Sequence, residues 1–148
     1  MLQLDVQALA NHLQETVPLF VSVGLARDLG AVNRNTIRYP SAWVILLGEQ
    51  ASEIRYEYDD AIEQAVTARV AVIMAVRDIA DRTGARAREN LKPIREAVLI
   101  SMCRHIPQDA DQAFRFSRGQ LQSGVDAKGG MFWQDEYTLR FDRRIQIS

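Results

Sequence analysis

Two histidines, one cysteine and one run of carboxylates are the side chains of this 148-residue sequence with the types to do chemistry. His12 and His105 stand far apart, and neither an H-x-H nor an H-x-x-x-H spacing occurs, so the pair lacks the form of a dedicated zinc site. His105 falls in the last turn of the main predicted helix, where a cation suits the helix dipole, and a capping or surface role is expected for it. Cys103 lies two residues earlier. Helical positions two apart point to different sides, so a buried, inert thiol is expected rather than a thiol–imidazole pair. Glu53, Glu57, Asp59, Asp60 and Glu63 could gather a divalent cation, but their spacing is not that of an EF-hand and the central glycine of that loop is missing. Solvated charge, or pairing with the arginines of a neighbouring subunit, is the expectation. Gly119, Gly124, Gly129 and Gly130 follow neither the G-x-G-x-x-G nor the Walker pattern, and no G-x-S-x-G elbow occurs. No catalytic residue, metal ligand or cofactor is therefore predicted. A small metal-dependent hydrolase resting on Asp59, Asp60 and Glu63 is the alternative from a different functional class.

Charge is balanced, with 18 Lys+Arg against 19 Asp+Glu. Sixteen of the basic residues are arginine and only Lys92 and Lys128 are lysine. Arginine favours planar, two-pronged pairing with carboxylates over simple solvation. The balance argues against a sequence-independent grip on nucleic acid, which needs a net basic surface. A single cysteine allows no intrachain disulfide. The start, MLQLDVQALANHL, lacks a basic leader and a long apolar core, and no apolar run approaches the length that spans a membrane. A protein folded in a reducing compartment, with no membrane or specific nucleic-acid partner, is the expectation.

The elements that must position these side chains centre on Gln64 to Asp78. Val66, Ala68, Val70, Val72, Met74 and Val76 form one alternating set, wholly apolar. Ala65, Thr67, Arg69, Ala71, Ile73, Ala75 and Arg77 form the other, small or apolar in the middle with arginines near both ends. Such a pattern predicts a long strand with one face fully buried and the other partly covered. Before it, Asp5 or a neighbour can cap a helix running to about Glu15, with Val6, Leu9, Ala10, Leu13 and Val17 as its apolar stripe. Leu19 to Val23 reads as a short strand after Pro18, Ala26 to Val32 as a brief helix, and Asn33 to Asn35 as a turn. Ala42 to Leu47 is nearly continuous apolar sequence ending at Gly48, as in a strand buried on both faces. Glu49 to Asp60 is polar and reads as an exposed loop or hairpin arm.

Asp78 to Thr83 turns the chain into the main helix, Ala85 to Ile106, whose stripe is Ala87, Leu91, Ile94, Val98, Met102 and Ile106. Pro93 makes either a separate opening turn or a bend in one helix, and the continuous bent form is expected. Arg82, Arg86, Arg88, Arg95 and Arg104 interleave with Asp81, Glu89 and Glu96, predicting an exposed face laced by salt bridges. Ala113 to Gln122 and Met131 to Ile147 read as a hairpin around a loop at Gly124 to Gly130. In its second strand Trp133, Tyr137, Leu139 and Phe141 share one face, and Gln134, Glu136, Thr138, Arg140 and Asp142 the other. That outward face is either a solvated edge or a surface that meets another subunit. The sum is one α+β domain over residues 1–148, a two-layer sandwich. A mainly antiparallel sheet of about five strands carries two main helices on one face.

Several runs, in order, carry a resemblance to a known family. They are Val17-Pro18-Leu19-Phe20-Val21-Ser22-Val23-Gly24, then Pro40-Ser41-Ala42-Trp43-Val44 with Leu47-Gly48-Glu49-Gln50-Ala51. Val66, Val70-Ala71-Val72 and Ala75-Val76-Arg77-Asp78 follow. Next come Gly84-Ala85-Arg86-Ala87, Leu91 and Ile94-Arg95-Glu96-Ala97, and after the Phe116 to Gln122 strand Phe132-Trp133-Gln134-Asp135-Glu136-Tyr137. Over nearly its whole length the chain resembles the tail terminator proteins of long-tailed bacteriophages. One departure is His105-Ile106-Pro107, where related chains often carry a tryptophan before the proline. The resemblance implies a six-subunit ring at the head-proximal end of the virion tail, assembled in the host cytoplasm. It implies the chain itself, the tail tube protein, head-completion (neck) proteins and, in contractile phages, the tail sheath protein as partners. Another head–tail connector protein is the alternative of the same architectural type. Candidate subunit and partner contacts are Arg55, Tyr56 and Tyr58 in the polar excursion, Arg69 and Arg77 on the long strand, and Glu136, Arg140 and Arg144 on the last.

Overall fold

The computed structural model describes residues 3–30, 37–77, 85–123 and 130–148. The turns expected at 33–35 and 78–83, the end of the brief helix expected to reach residue 32, the loop at 124–129, Asp81, Arg82 and the side chains of Arg86 and Ala87 lie outside these. The described elements are α1 (Val6–Thr16), β1 (Ser22–Leu25), α2 (Ala26–Gly30), β2 (Ser41–Glu57), β3 (Ala61–Arg77), α3 (Ala85–Arg104), β4 (Arg115–Ser123) and β5 (Gly130–Gln146). The strands form one sheet in the order β1-β2-β3-β5-β4. β1 runs parallel to β2 and every other pairing is antiparallel.

Alternation on β3 places its apolar set, Val66, Ala68, Val70, Val72, Met74 and Val76, on the face that meets the helices, and all six are buried. They pack with Leu9 and Leu13 of α1, with Leu91, Ile94, Val98 and Met102 of α3, and with Tyr137, Leu139 and Phe141 of β5. Each large apolar side chain so buried is worth about 1.5–3 kcal/mol. α1 starts because the Asp5 carboxylate accepts the Ala8 N–H at 3.0 Å, filling one of the donors that a helix start leaves open. The α+β two-layer architecture is thus the one that the periodicities imply.

Within that frame several elements differ from the sequence reading. β1 starts at Ser22, not Leu19, because Leu19 and Val21 face solvent and only Phe20 turns into the core. β2 does not end at Gly48. Bulges between Leu46 and Gly48 and again beyond Ala51 shift its register, and the strand continues to Glu57. Leu46 and Leu47 are therefore exposed, and the strand is buried only from Ser41 to Val44. The polar excursion is the outer part of a β2–β3 hairpin arm, exposed from residue 51 to residue 60. Its turn is closed by Tyr58 N–H donating to the Ala61 carbonyl at 2.7 Å.

α3 runs unbroken through Pro93 and stops at Arg104, so Ile106 lies past the helix and is exposed instead of completing the stripe. Cys103 is exposed, since its neighbour Met102 holds the core position one turn after Val98. β5 is no edge: it is hydrogen-bonded to β3 on one side and β4 on the other, leaving β1 and β4 as the two edges. Tyr137 on β5 is fully buried and its hydroxyl has no hydrogen-bond partner among the described residues. Burial, then the neighbouring Asp135 carboxylate, pushes the phenol far above its ordinary range. Tyr137→Phe should leave stability unchanged or raise it by up to about 1 kcal/mol in urea unfolding, because it removes a polar atom that burial leaves unsatisfied. A loss above that size would show that the hydroxyl is bonded in solution.

Candidate functional site

The second face of the sheet carries most of the charged candidates. At the Arg77 end it is closed by a small cluster in which Trp43, Ile73, Ala75 and Phe132 are buried, with Ile37, Tyr39 and Ile45 against them. The Arg77 guanidinium lies 4.7 Å from the centre of the Tyr39 ring. Further along, the same face turns cationic. Register places Arg69, Thr138 and Arg115 in one row across β3, β5 and β4, Glu136 beside Arg118 in the next, and Arg140 beside Thr67 on the other side. Arg69, Arg115, Arg118 and Arg140 are all exposed.

Glu136 is buried on this face, not solvated as the strand alternation implied, because arginines close over it. Arg118 Nε donates to its carboxylate, Gln134 Nε2 donates at 3.1 Å, and Arg69 stands 3.9 Å away. The Arg118 hydrogen bond is the main cause holding the Glu136 carboxyl below the usual range, with burial opposing it and the charges of Arg118 and Arg69 adding to it. Arg140 has no ion-pair partner among the described residues. Sequence reasoning missed Arg115 and Arg118, and the signal for them was the alternation of β4 against the charged face of β5.

The arm gathers the other group. Arg55 Nη1 donates to Asp142 at 2.9 Å, the Tyr56 and Tyr58 rings stack with centres 6.2 Å apart, and the Arg144 guanidinium lies 5.6 Å from the Tyr58 ring centre. Both tyrosines are about half exposed, at 56% and 47%. The candidates thus divide into Arg55, Tyr56, Tyr58 and Arg144 at the arm, Arg69, Glu136 and Arg140 at mid-sheet, and Arg77 at the far end.

The histidines, distant in sequence, meet in space. α1 and the end of α3 bring the His12 and His105 rings into a stack with centres 3.8 Å apart, and Phe114 stacks beyond His105 at 6.3 Å. His105 therefore fills the corner after α3 as an aromatic plate. Ser101 Oγ lies 3.2 Å from His12 Nε2 and 2.6 Å from Thr16 Oγ1, and Arg104 lines the same groove. Burial, then the charge of His12, pushes the His105 imidazole below its ordinary 6.5. The unfolded chain then binds the proton more readily, so this contribution to stability is full above pH 6.5 and is lost as pH falls through the lowered folded value. The melting temperature of the wild-type chain should drop more than that of His105→Phe between about pH 7.5 and about pH 5.5, and parallel curves would show that His105 does not titrate differently on folding.

An ion pair with a fully buried carboxylate lies on the core face. Arg95 of α3 does not join an exposed salt-bridge lattice but donates through Nε to both oxygens of Asp135, at 3.0 and 2.9 Å, while Trp133 Nε1 donates to the same carboxylate at 2.9 Å. Of the residues expected in that lattice, Glu89 pairs instead with Lys92, and Arg88, Glu96 and Arg104 make no ion pair among the described residues. An apolar groove floored by Leu91, Leu99, Leu121, Met131 and Trp133 opens between α3 and the β4–β5 hairpin. Among the described residues no three His, Cys, Asp or Glu side chains gather as metal ligands, and no helix is long and apolar enough to cross a membrane.

No curated protein matches this sequence. The family model described as phage tail terminator protein matches residues 1–148, the whole chain. The chain belongs to the phage tail terminator protein family, with a structural role in a bacteriophage tail.

Proposed function

We propose that the protein forms a ring on the head-proximal end of the tail tube, stops tube growth, and presents the docking surface for head-completion proteins. Membership of the tail terminator family over the full chain is the observation that carries this reading. The geometry supports it in kind. β1 and β4 leave two sheet edges for pairing, and the β2–β3 arm projects a strip of exposed residues. The tube protein and a neck protein would be the partners on opposite sides of the ring, with a sheath protein added where the tail contracts. No step of catalysis enters this role.

The test is tail assembly with and without the protein. With it, tubes should end at one length and electron microscopy should show a ring of copies, six by the family resemblance, at the head-proximal end. Without it, tube lengths should broaden and heads should fail to attach. Tubes of uniform length in its absence would remove the terminator role. A position further toward the head would make it a connector of the neck.

A further inference from the structure

We propose that copies of this chain join head to tail, the acidic tip of one β2–β3 arm docking on the arginine-bearing sheet face of the next copy. The contact rests on the ring reading above and names the surfaces that make it. On the face, Arg69, Arg115, Arg118 and Arg140 stand around the single carboxylate of Glu136, so positive charge is left uncompensated. At the tip, Glu57, Asp59 and Asp60 are exposed and make no ion pair among the described residues. The whole sequence carries a net charge of only −1, so the two patches reflect placement, not an excess of either sign.

The tip does not reach the face of its own chain. Asp60 directly precedes β3, whereas Thr67, in register with Arg140, and Arg69 follow well along the same strand. At about 3.3 Å per residue the separations from Ala61 are about 20 and 26 Å. The screening length at ordinary ionic strength is only about 8–10 Å. β3 is flanked on both sides from Ile62 to Ala75, so it does not fold back to close that distance. Opposite charges held apart on one rigid body are free to meet those of a second molecule, and another copy supplies both signs at once. A contact between two unlike patches is heterologous, and its repetition closes a ring when the rotation between copies allows. Tyr56 and Tyr58, stacked and half exposed beside the tip carboxylates, add rigid apolar area to the docked arm.

Charge reversal in the full chain tests this. One variant carries Arg115→Glu with Arg140→Glu, which leaves Arg69 and Arg118 on the buried Glu136. The other carries Glu57→Lys with Asp59→Lys. Ring formation is read by light scattering in solution and by electron microscopy on tail tubes, with circular dichroism melts confirming that both variants fold. Each variant alone should need about tenfold more protein or worse to form rings. An equal mixture should restore assembly, because the reversed arm meets the reversed face and the native arm meets the native face. If the wild-type chain forms rings and both variants do so equally well, the head-to-tail contact is overturned and the ring reading stands. Loss in both variants without rescue on mixing also overturns it. Rings of the face variant that no longer hold on tube ends would assign the face to the tube protein instead. If the wild-type chain forms no ring in solution or on tubes, the ring reading itself fails and takes this contact with it.

Discussion

Arg95→Met will cost about 3–5 kcal/mol of folding stability, because it strands a buried carboxylate without its cation. Asp135 is fully buried while Arg95 keeps about a third of its side-chain surface in solvent, at 31%. The arginine therefore gives up little hydration and the aspartate gives up nearly all of it. What compensates the aspartate is the pair of hydrogen bonds from Arg95 Nε and one from the Trp133 indole. Methionine keeps the apolar stem over Trp133 and Phe116 but removes the charge. The Arg95 guanidinium also lies 5.2 Å from the Trp133 ring centre and 5.5 Å from that of Phe116, so those contacts go with it. The site has no slack: a Cβ on Gly119 would stand 2.5 Å from Asp135 Oδ1 and 2.9 Å from Arg95 Nη2. Urea unfolding of Arg95→Met beside Arg95→Met with Asp135→Leu separates the causes. The double variant should recover a large part of the loss, since an apolar pair of similar size needs no hydration. A single-variant loss under about 1 kcal/mol would mean that water reaches Asp135 in the native state, since a pair of that size is an exposed one.

Leu13→Ala is expected to cost about 2–5 kcal/mol, roughly 10 °C in melting temperature for a domain of this size. Leu13 is fully buried and sits between α1 and the sheet. α1 has eleven residues, too short to hold its helix alone, so its stability comes from the stripe of Leu9, Ala10, Leu13 and Val17. The cavity left by alanine lies at the centre of that stripe, where neither α1 nor β3 can collapse into it cheaply. Leu46→Ala is the matched control: Leu46 is exposed beside the β2 bulge and its loss should fall within about 0.5 kcal/mol. Equal losses at the two positions would contradict the assignment of Leu13 to the core.

The alternation from Val66 to Val76, the helical stripe of α1, that of α3 from Leu91 to Met102, and a cap at or beside Asp5 depend on neighbours in sequence, and for that reason they could be read without coordinates. The same local patterns, in their order, carried the resemblance to the tail terminator family. Alternation tells which side of a strand is apolar but not which strand lies beside it. That β5 sits between β3 and β4 was decided by pairings along the whole of β3 and β5, and with it the burial of Glu136 under Arg118 and Arg69. Arg95 and Asp135 stand forty positions apart, so no helical or strand spacing could have paired them. His12 and His105 were judged singly from sequence, and only the packing of α1 against α3 stacked their rings. β2 outran the expected stop at Gly48 because backbone hydrogen bonding to β3, with bulges that absorb the misfit, outweighs the change from apolar to polar side chains. The sequence by itself determined the apolar faces of β3, of α1 and of α3 from Leu91 to Met102, and what family the chain resembles. The tertiary structure decided which charges would stand together, because ion pairs across a sheet are set by register between distant segments.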